Sequence, residues 1–481
     1  MSLSPEREPG ATMTMASDPH RPPPVDLVHH VHLTGVYAPQ REEVDVSDLR
    51  VTGSIPDDLQ GSYLRNGPNP RFDPIGSFTY PLDGDGMVHR IVLADGRASY
   101  TNRFVRTPMV ELEEARGETI WSGLMDGYTP PASVVGDALA GTVRQLPDIN
   151  IVRHGGRLLA MAESDKPYRL DPQSLATLGA EDCDGAMLVG STAHPKIDPR
   201  TGEMVLFNYA LESPYLTWSV VGADGTRLRA PTPVDGLDAP LMIHDMAMTE
   251  RYLVLFANPL VFDLAAVMRG GALLSWQPER GTRIAFIPRD GDAVRWVDTD
   301  PFWVWHFANA FDNPDGTVTI DYVEHAYPVG FATAPNTPNA PTLMRATCDP
   351  ATGLIKRDRI SDRTGLEFPR IDDRMLTREH RHIATVGKAG ADHDDLESLW
   401  FHDSRTGRDS CFNPGVAIGE PIYIPSDRHD YWGAIGTDPS DMRSRFYLLD
   451  ADNPENGPLA TIDLPIRVPA GLHGAWLPGL D

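Results

Sequence analysis

The chain has 481 residues, of which 41% are hydrophobic and 23% charged, and a formal net charge of -26. That is a globular composition, and an acidic chain with no Lys/Arg cluster gives no footing for nucleic acid or for electrostatic attachment to anionic lipid, so any peripheral membrane contact has to be apolar. Three widely spaced cysteines, Cys183, Cys348 and Cys411, build neither a disulfide framework nor a Cys-x-x-Cys metal site, which points to a reducing, cytoplasmic location.

Residues 1–28, rich in Pro, Met, Arg and acidic residues, lack the apolar core of a signal peptide and read as a disordered leader. Residues 29–481 contain no linker rich in Gly, Ser or Pro and read as a single domain. Residues 45–64 begin with polar-apolar alternation and end in Ser62-Tyr63-Leu64. The loop that follows, Arg65-Asn66-Gly67-Pro68-Asn69-Pro70, suits neither a helix nor a central strand. Asp83-Gly84-Asp85-Gly86 lacks the ligand spacing of an EF-hand and the Lys-Ser/Thr of a P-loop, and reads as a tight turn. From there one unit keeps returning: a short β-branched or aromatic run, a turn of Asp and Gly, and another such run. Ala94-Asp95-Gly96, Asp198-Pro199-Arg200-Thr201-Gly202, Asp349-Pro350-Ala351-Thr352-Gly353 and Asp403-Ser404-Arg405-Thr406-Gly407 are hairpin signals of this kind. Helical periodicity is confined chiefly to residues 131–143 and 261–274. Many hairpins with few helices predict an all-β radial architecture such as a propeller, or else a large sandwich.

Four histidines stand in apolar settings: His194, His244, His306 and His473. Their separations of 50, 62 and 167 residues suit inner strands of different propeller blades, which all approach one axis. In the strand around His306, simple alternation puts Val304, His306 and Ala308 on one face and Trp303, Trp305 and Phe307 on the other. Neutral imidazoles are good ligands for Fe, Zn, Cu and Ni, although any one buried histidine is more often a hydrogen-bonded core residue. Two competing sets, His380 with His382 and His29, His30 and His32, lie in polar surroundings that favour solvated surface. Metal-bound histidines normally donate their second ring N–H to a carboxylate or carbonyl, and Glu163, Glu367 and Glu420 are carboxylates in apolar settings. On pattern each is equally a strand-end surface residue.

Gly61-Ser62-Tyr63-Leu64-Arg65-Asn66-Gly67-Pro68-Asn69-Pro70, Asp83-Gly84-Asp85-Gly86-Met87, Ala193-His194-Pro195-Lys196-Ile197-Asp198-Pro199, His244-Asp245, Glu367-Phe368-Pro369-Arg370, Glu420-Pro421-Ile422-Tyr423-Ile424-Pro425 and Leu472-His473-Gly474-Ala475-Trp476 together resemble the carotenoid cleavage oxygenase family. The resemblance runs from about residue 45 to the C-terminus. It implies a seven-bladed β-propeller capped by loops and short helices, with non-haem Fe(II) on the axis. It makes His194, His244, His306 and His473 the ligands, with Glu163, Glu367 and Glu420 behind them. It also implies a dioxygenase that inserts O2 across a C=C bond of an apolar polyene, a carotenoid or apocarotenoid, and releases two carbonyl products. Four neutral imidazoles leave Fe(II) open positions, and the conjugated alkene can itself supply electrons to O2.

Two departures stand out. Many members carry Asn-Thr-Asn where this chain has Asp148-Ile149-Asn150, so that Ile149 makes that position drier. Members usually have an acidic Asp-Gly turn where this chain has Ser426-Asp427-Arg428-His429-Asp430-Tyr431-Trp432-Gly433. The alternative within the family is a stilbene- or phenylpropene-cleaving dioxygenase; stilbene cleavers anchor a phenol on a tyrosine where this chain has Phe104, together with a lysine. Phe104, Ile149 and Phe307 are therefore the candidates for lining the substrate or O2 pocket. The rival from another class is a non-enzymatic propeller binding module whose histidines are core residues. Apolar residues of the two helical stretches, Ala138, Leu139 and Val143 in one and Leu260, Val261, Phe262, Leu264 and Val267 in the other, are the candidates for substrate access and membrane contact.

Overall fold

The Asp-Gly turns close antiparallel hairpins. In the first, Ala94 faces Arg97 across a two-residue loop in which Asp95 and Gly96 both have positive φ, 51° and 71°. This loop twists in the sense of the flanking strands. The strand it opens, Arg97–Phe104, alternates strictly, with Ala98, Tyr100, Asn102 and Phe104 buried and the residues between them more open. At the longer turns the aspartate caps the loop: Asp349 Oδ1 accepts from the Ala351 N–H at 2.8 Å and Asp403 Oδ1 from the Arg405 N–H at 2.9 Å.

The computed structural model describes residues 18–163, 165–188, 190–269, 271–291, 293–331, 338–388 and 396–479. Their hairpins assemble into seven antiparallel sheets, and an additional two-stranded hairpin pairs Leu260–Phe262 with Leu274–Trp276. The seven sheets are the blades of a β-propeller. Both ends of the described chain close the ring. Gly61–Arg65 lies between Gly474–Pro478 and Asp85–Ala94 in blade one, while Val51–Gly53 forms the outer edge of blade seven against Pro458–Asp463. The hydrophobic core is correspondingly divided: each large cluster joins two neighbouring blades, as Tyr63, Ile91 and Trp476 join Ile422, Ile424 and Phe446 at the closure.

Three insertions leave the blades at the end where the innermost strands begin, and their described residues, 105–149, 258–269 with 271–281, and 326–331 with 338–341, supply the cap. Their helices depart from the expected positions. Residues 131–143 hold a helix only at Ala132–Val135. In 261–274 only Leu264–Met268 is helical, because Leu260 and Val261 are buried in the two-stranded hairpin. The longest helix among the described residues, Pro108–Arg116, was not among the expected helical stretches; Thr107 Oγ1 accepts from the Val110 N–H, Pro108 occupies the first turn and Gly117 the C-cap. Of the expected leader, residues 1–17 lie outside the described residues. Residues 18–28, expected to be disordered, are docked: the Val25 N–H donates to Pro74 O and Arg21 Nη2 to Thr119 O. Asp83-Gly84-Asp85-Gly86 is a turn entering a strand, with both carboxylates buried: Asp83 accepts from the Thr79 and Leu124 N–H groups and Asp85 pairs with Arg144.

Because Trp476 fills the cluster that joins the two ends of the chain, Trp476→Ala should lower the unfolding free energy by about 3–5 kcal/mol, measured as a fall in urea midpoint at constant m-value.

Candidate metal centre

Each blade brings one residue to the axis at or near the start of its innermost strand: in chain order around the ring these are His473, Ile149, His194, His244, His306, Glu367 and Glu420. The strands behind His194 and His244 are only two residues long, Lys196–Ile197 and Ala247–Met248. His306 sits inside Trp303–Asp312, and there the expected alternation fails. The ladder shifts register between Val304 and Phe307 and again between Phe307 and Asn309. The extra residues turn Phe307 to the side of Val304, into the cluster with Phe256 and Tyr322, while Ala308 packs on the opposite side with Leu366 and Ile383.

The four imidazoles, all nearly buried, present ligand nitrogens within 4.8 Å of one another. His194 Nε2 lies 3.1 Å from His244 Nε2, and His306 Nε2 lies 3.2 Å from His473 Nε2. The other ring nitrogens decide what these contacts are. His244 Nδ1 donates to Glu163 Oε2 at 2.6 Å, His306 Nδ1 to Glu367 Oε2 at 2.6 Å and His473 Nδ1 to Glu420 Oε1 at 2.9 Å. An ionised carboxylate only accepts, so each Nδ1 carries the proton and each Nε2 of a neutral ring is a bare lone pair. Lone pairs at 3.2 Å have no proton to share, and a cation between them resolves the repulsion. The donor set therefore fits a metal ion, and imidazole nitrogens suit Fe, Zn, Cu or Ni.

Protonation agrees with that use at His194 and His473. Burial, reinforced by the neighbouring imidazoles, holds His194 well below the usual histidine range, and burial pushes His473 down to about 4 against the pull of Glu420. Burial would lower His244 as well, but Glu163 outweighs it and its pKa is raised. Burial would raise Glu367 and Glu420, yet His306 and His325 hold the first far below the carboxylate range, and Arg370 with His473 bring the second to about 2.

Sequence reasoning missed the residues that hold the carboxylates. Glu163 Oε1 accepts from the Tyr209 hydroxyl, Glu367 Oε1 from His325 Nε2 at 2.7 Å and Glu420 Oε1 from Arg370 Nη1 at 3.3 Å. Phe368 was also missed; its φ of 52° lies in the left-handed region, unusual for a bulky residue. Its N–H donates to Glu367 Oε2 and its ring stacks 5.1 Å from that of His306. Asn66, in the loop read as suiting neither a helix nor a central strand, is fully buried and ties three segments: its N–H donates to His473 O, and its Nδ2 to Pro147 O and Asn150 O. Runs of loop residues carry no periodic signal, so only the fold could show this.

Of the three pocket candidates, Ile149 stands beside the centre, with its carbonyl accepting from the His473 N–H at 3.1 Å. Phe307 lines a cavity of about 410 Å³ that reaches His194, His306 and His473 along the axis, together with Lys196, Asp245 and Arg370. Phe104 is not in its lining and is buried under the Arg71 guanidinium, 5.2 Å from the ring centre. On the cap side the surroundings are aromatic: Trp305 meets His244 edge-on at 5.0 Å and packs with Trp303, Phe262, Trp276 and Phe331. The competing histidines do not join the centre. His380, expected at the surface, is buried because Asn309 Nδ2 and Asp321 Oδ2 hold its ring at 3.0 and 3.2 Å; His29 is exposed. His429, Asp450 and Asp452 also come within ligand distance, but Asp450 is occupied by His429 and by the N–H groups of its own turn.

A propeller with a buried four-imidazole centre backed by three carboxylates defines a class of axial metalloprotein, and comparison gives it a family. The family model for retinal pigment epithelial membrane protein, RPE65, matches residues 37–478. The chain is 31% identical to carotenoid 9,10(9',10')-cleavage dioxygenase 1 of Phaseolus vulgaris, over 94% of this chain and 90% of that one. It is 32% identical to resveratrol cleavage oxygenase 1 of Aspergillus fumigatus, over 93% and 95%. The crystal structure of Pseudomonas brassicacearum lignostilbene dioxygenase superposes with a TM-score of 0.84 at 29% identity, covering 95% of this chain and all of that one. The chain belongs to the carotenoid cleavage oxygenase family and is a non-haem iron dioxygenase of that family.

If the carboxylates orient the rings, Glu163→Gln, Glu367→Gln and Glu420→Gln should each fold and bind metal roughly 10–100-fold more weakly, and His244→Ala with His306→Ala should abolish binding. Titration with Fe(II) under anaerobic conditions reads both; wild-type affinity in all three glutamine variants would return the glutamates to a purely structural role.

Proposed function

We propose that this enzyme holds Fe(II) on His194, His244, His306 and His473 and cleaves one C=C bond of a carotenoid or apocarotenoid with O2, giving two carbonyl products. Ferrous iron would supply the one-electron chemistry that lets triplet O2 react with a closed-shell alkene. Both oxygen atoms end in the two carbonyl groups and the alkene is the reductant, so the reaction balances without a further electron donor. Glu163, Glu367 and Glu420 keep the protons on Nδ1 and so keep the Nε2 lone pairs on the axis. The observation that carries the substrate class is the cap-side cluster of Trp303, Trp305, Phe262, Trp276 and Phe331 against the His244 ring, apolar surface suited to a polyene. Tyr209 packs against the same cluster, but its hydroxyl is committed to Glu163. A buried phenol left unpaired would cost about 1–3 kcal/mol.

The second reading, a hydroxystilbene substrate, is favoured by the TM-score of 0.84 to the lignostilbene dioxygenase. Incubation of the Fe(II) protein with apocarotenals, carotenoids and hydroxystilbenes under 18O2, with the aldehydes identified by mass, separates the two. Polyene cleavage with label in both products is expected; cleavage of hydroxystilbenes alone would establish the second reading instead.

A polyene reaches the enzyme from lipid or a micelle, and apolar surface supports contact there. No helix among the described residues is long and apolar enough to cross a membrane. Leu260 and Val261, expected to contribute, are buried, and Leu139 and Phe262 are partly buried; Leu264, Val267 and Met268 on the helix that follows Phe262 are exposed, as are Ala138 and Val143 in the other insertion. Val267→Glu with Met268→Glu should therefore reduce sedimentation with neutral phosphatidylcholine liposomes several-fold without changing iron content, and unaltered sedimentation would remove this helix from the contact.

A further inference from the structure

We infer that Asp245 is a positioning residue that fixes three of the four imidazoles relative to one another while bonding to none of their rings; the inference rests on the metal-centre reading above. Asp245 follows His244 directly and is buried. Its Oδ1 accepts from Lys196 Nζ at 2.8 Å and from the Met246 N–H at 2.7 Å, and its Oδ2 accepts from the Phe307 N–H at 2.8 Å. Lys196 lies two residues beyond His194 and Phe307 one residue beyond His306. One carboxylate thus joins blades three, four and five at the residues next to their histidines.

The need for such a joint follows from the strands. His194 and His244 precede strands of two residues, whose ladders supply few hydrogen bonds to hold a side chain. His306 stands just before Phe307, where the register shift interrupts the ladder. A buried N–H left unpaired there would be costly, and the Asp245 carboxylate takes it up. His473, which Asp245 does not reach, has other support: a five-residue strand behind it, with Asn66, Ile149 and Glu420 around it. Metal–ligand distances tolerate about 0.2 Å, so the contacts that space the segments matter as directly as those that orient the rings. Lys196 offsets the buried charge, and without the carboxylate it would be left largely desolvated and unpaired.

The test uses the full chain loaded with Co(II), whose visible ligand-field bands report geometry, together with the Co(II) dissociation constant and the thermal midpoint. Asp245→Asn keeps the shape but puts an amide N–H2 against Lys196 and Met246 or against the Phe307 N–H. It should shift the bands and weaken Co(II) binding about tenfold or more. Asp321→Asn is the control: that carboxylate is also fully buried, and its partners are Arg345 and His380, so its loss should lower the midpoint while the bands and affinity stay wild-type. Wild-type bands and affinity in Asp245→Asn would overturn the inference at any midpoint. Should that variant not fold, Lys196→Met, which removes one of the three contacts, decides in the same way: shifted bands support the inference and unchanged bands overturn it. A wild-type chain that takes up no Co(II) would overturn the metal-centre reading as well, which separates the two failures.

Discussion

Everything at the centre depends on where one proton sits on three of the four imidazoles. Three carboxylates hold it on Nδ1, and in a buried site that choice is strongly enforced, because an uncompensated carboxylate or an unpaired ring N–H is costly there. The consequence lies on the opposite edge of each ring, where Nε2 becomes a lone pair aimed at the axis. Each bond also joins two blades: Glu163 of blade two serves His244 of blade four, Glu367 of blade six serves His306 of the neighbouring blade five, and Glu420 of blade seven serves His473 of blade one. The ring closure that brings blade seven against blade one is thereby part of the site.

The three carboxylates are not equivalent. Glu163 is shared with a phenol, Glu367 with a second imidazole and a backbone N–H, and Glu420 with a guanidinium and the Gly474 N–H. The more of its charge a carboxylate spends on outer partners, the less remains to polarise its histidine, so the three backed imidazoles differ as donors. No carboxylate contact to the His194 ring is among the described hydrogen bonds and ion pairs. Strain is placed here too. Phe368 sits at positive φ, which costs a bulky residue of order 1–3 kcal/mol, and in return its ring lies against His306 and His473.

The site has two unlike sides. Along the axis, a cavity with Lys196, Asp245, Arg370 and Glu420 in its walls reaches the imidazoles between the inner strands. Towards the cap, tryptophans and phenylalanines from blades four and five close over them. Insertions at the ends of hairpins provide the second side, on loops that can vary while the propeller beneath them stays the same.

By itself the sequence was enough for the hairpin architecture, because Asp-Gly turns and period-two alternation are local signals. It also singled out four histidines and three glutamates, because polar residues in apolar runs are conspicuous in one dimension. Tertiary structure decided the rest. The double register shift around Phe307 reversed the expected facing of Val304 and Phe307, since a bulge is set by what the strand meets and not by its own pattern. Tyr209 and His325 gave no signal, and Asp245, Arg370 and Asn66 stood in family-like blocks without a legible role, because each acts through a partner tens to hundreds of residues away. The apolar stretch around Leu260 read as helix and folded as a hairpin, since buried apolar residues satisfy either period and the packing partner chooses between them.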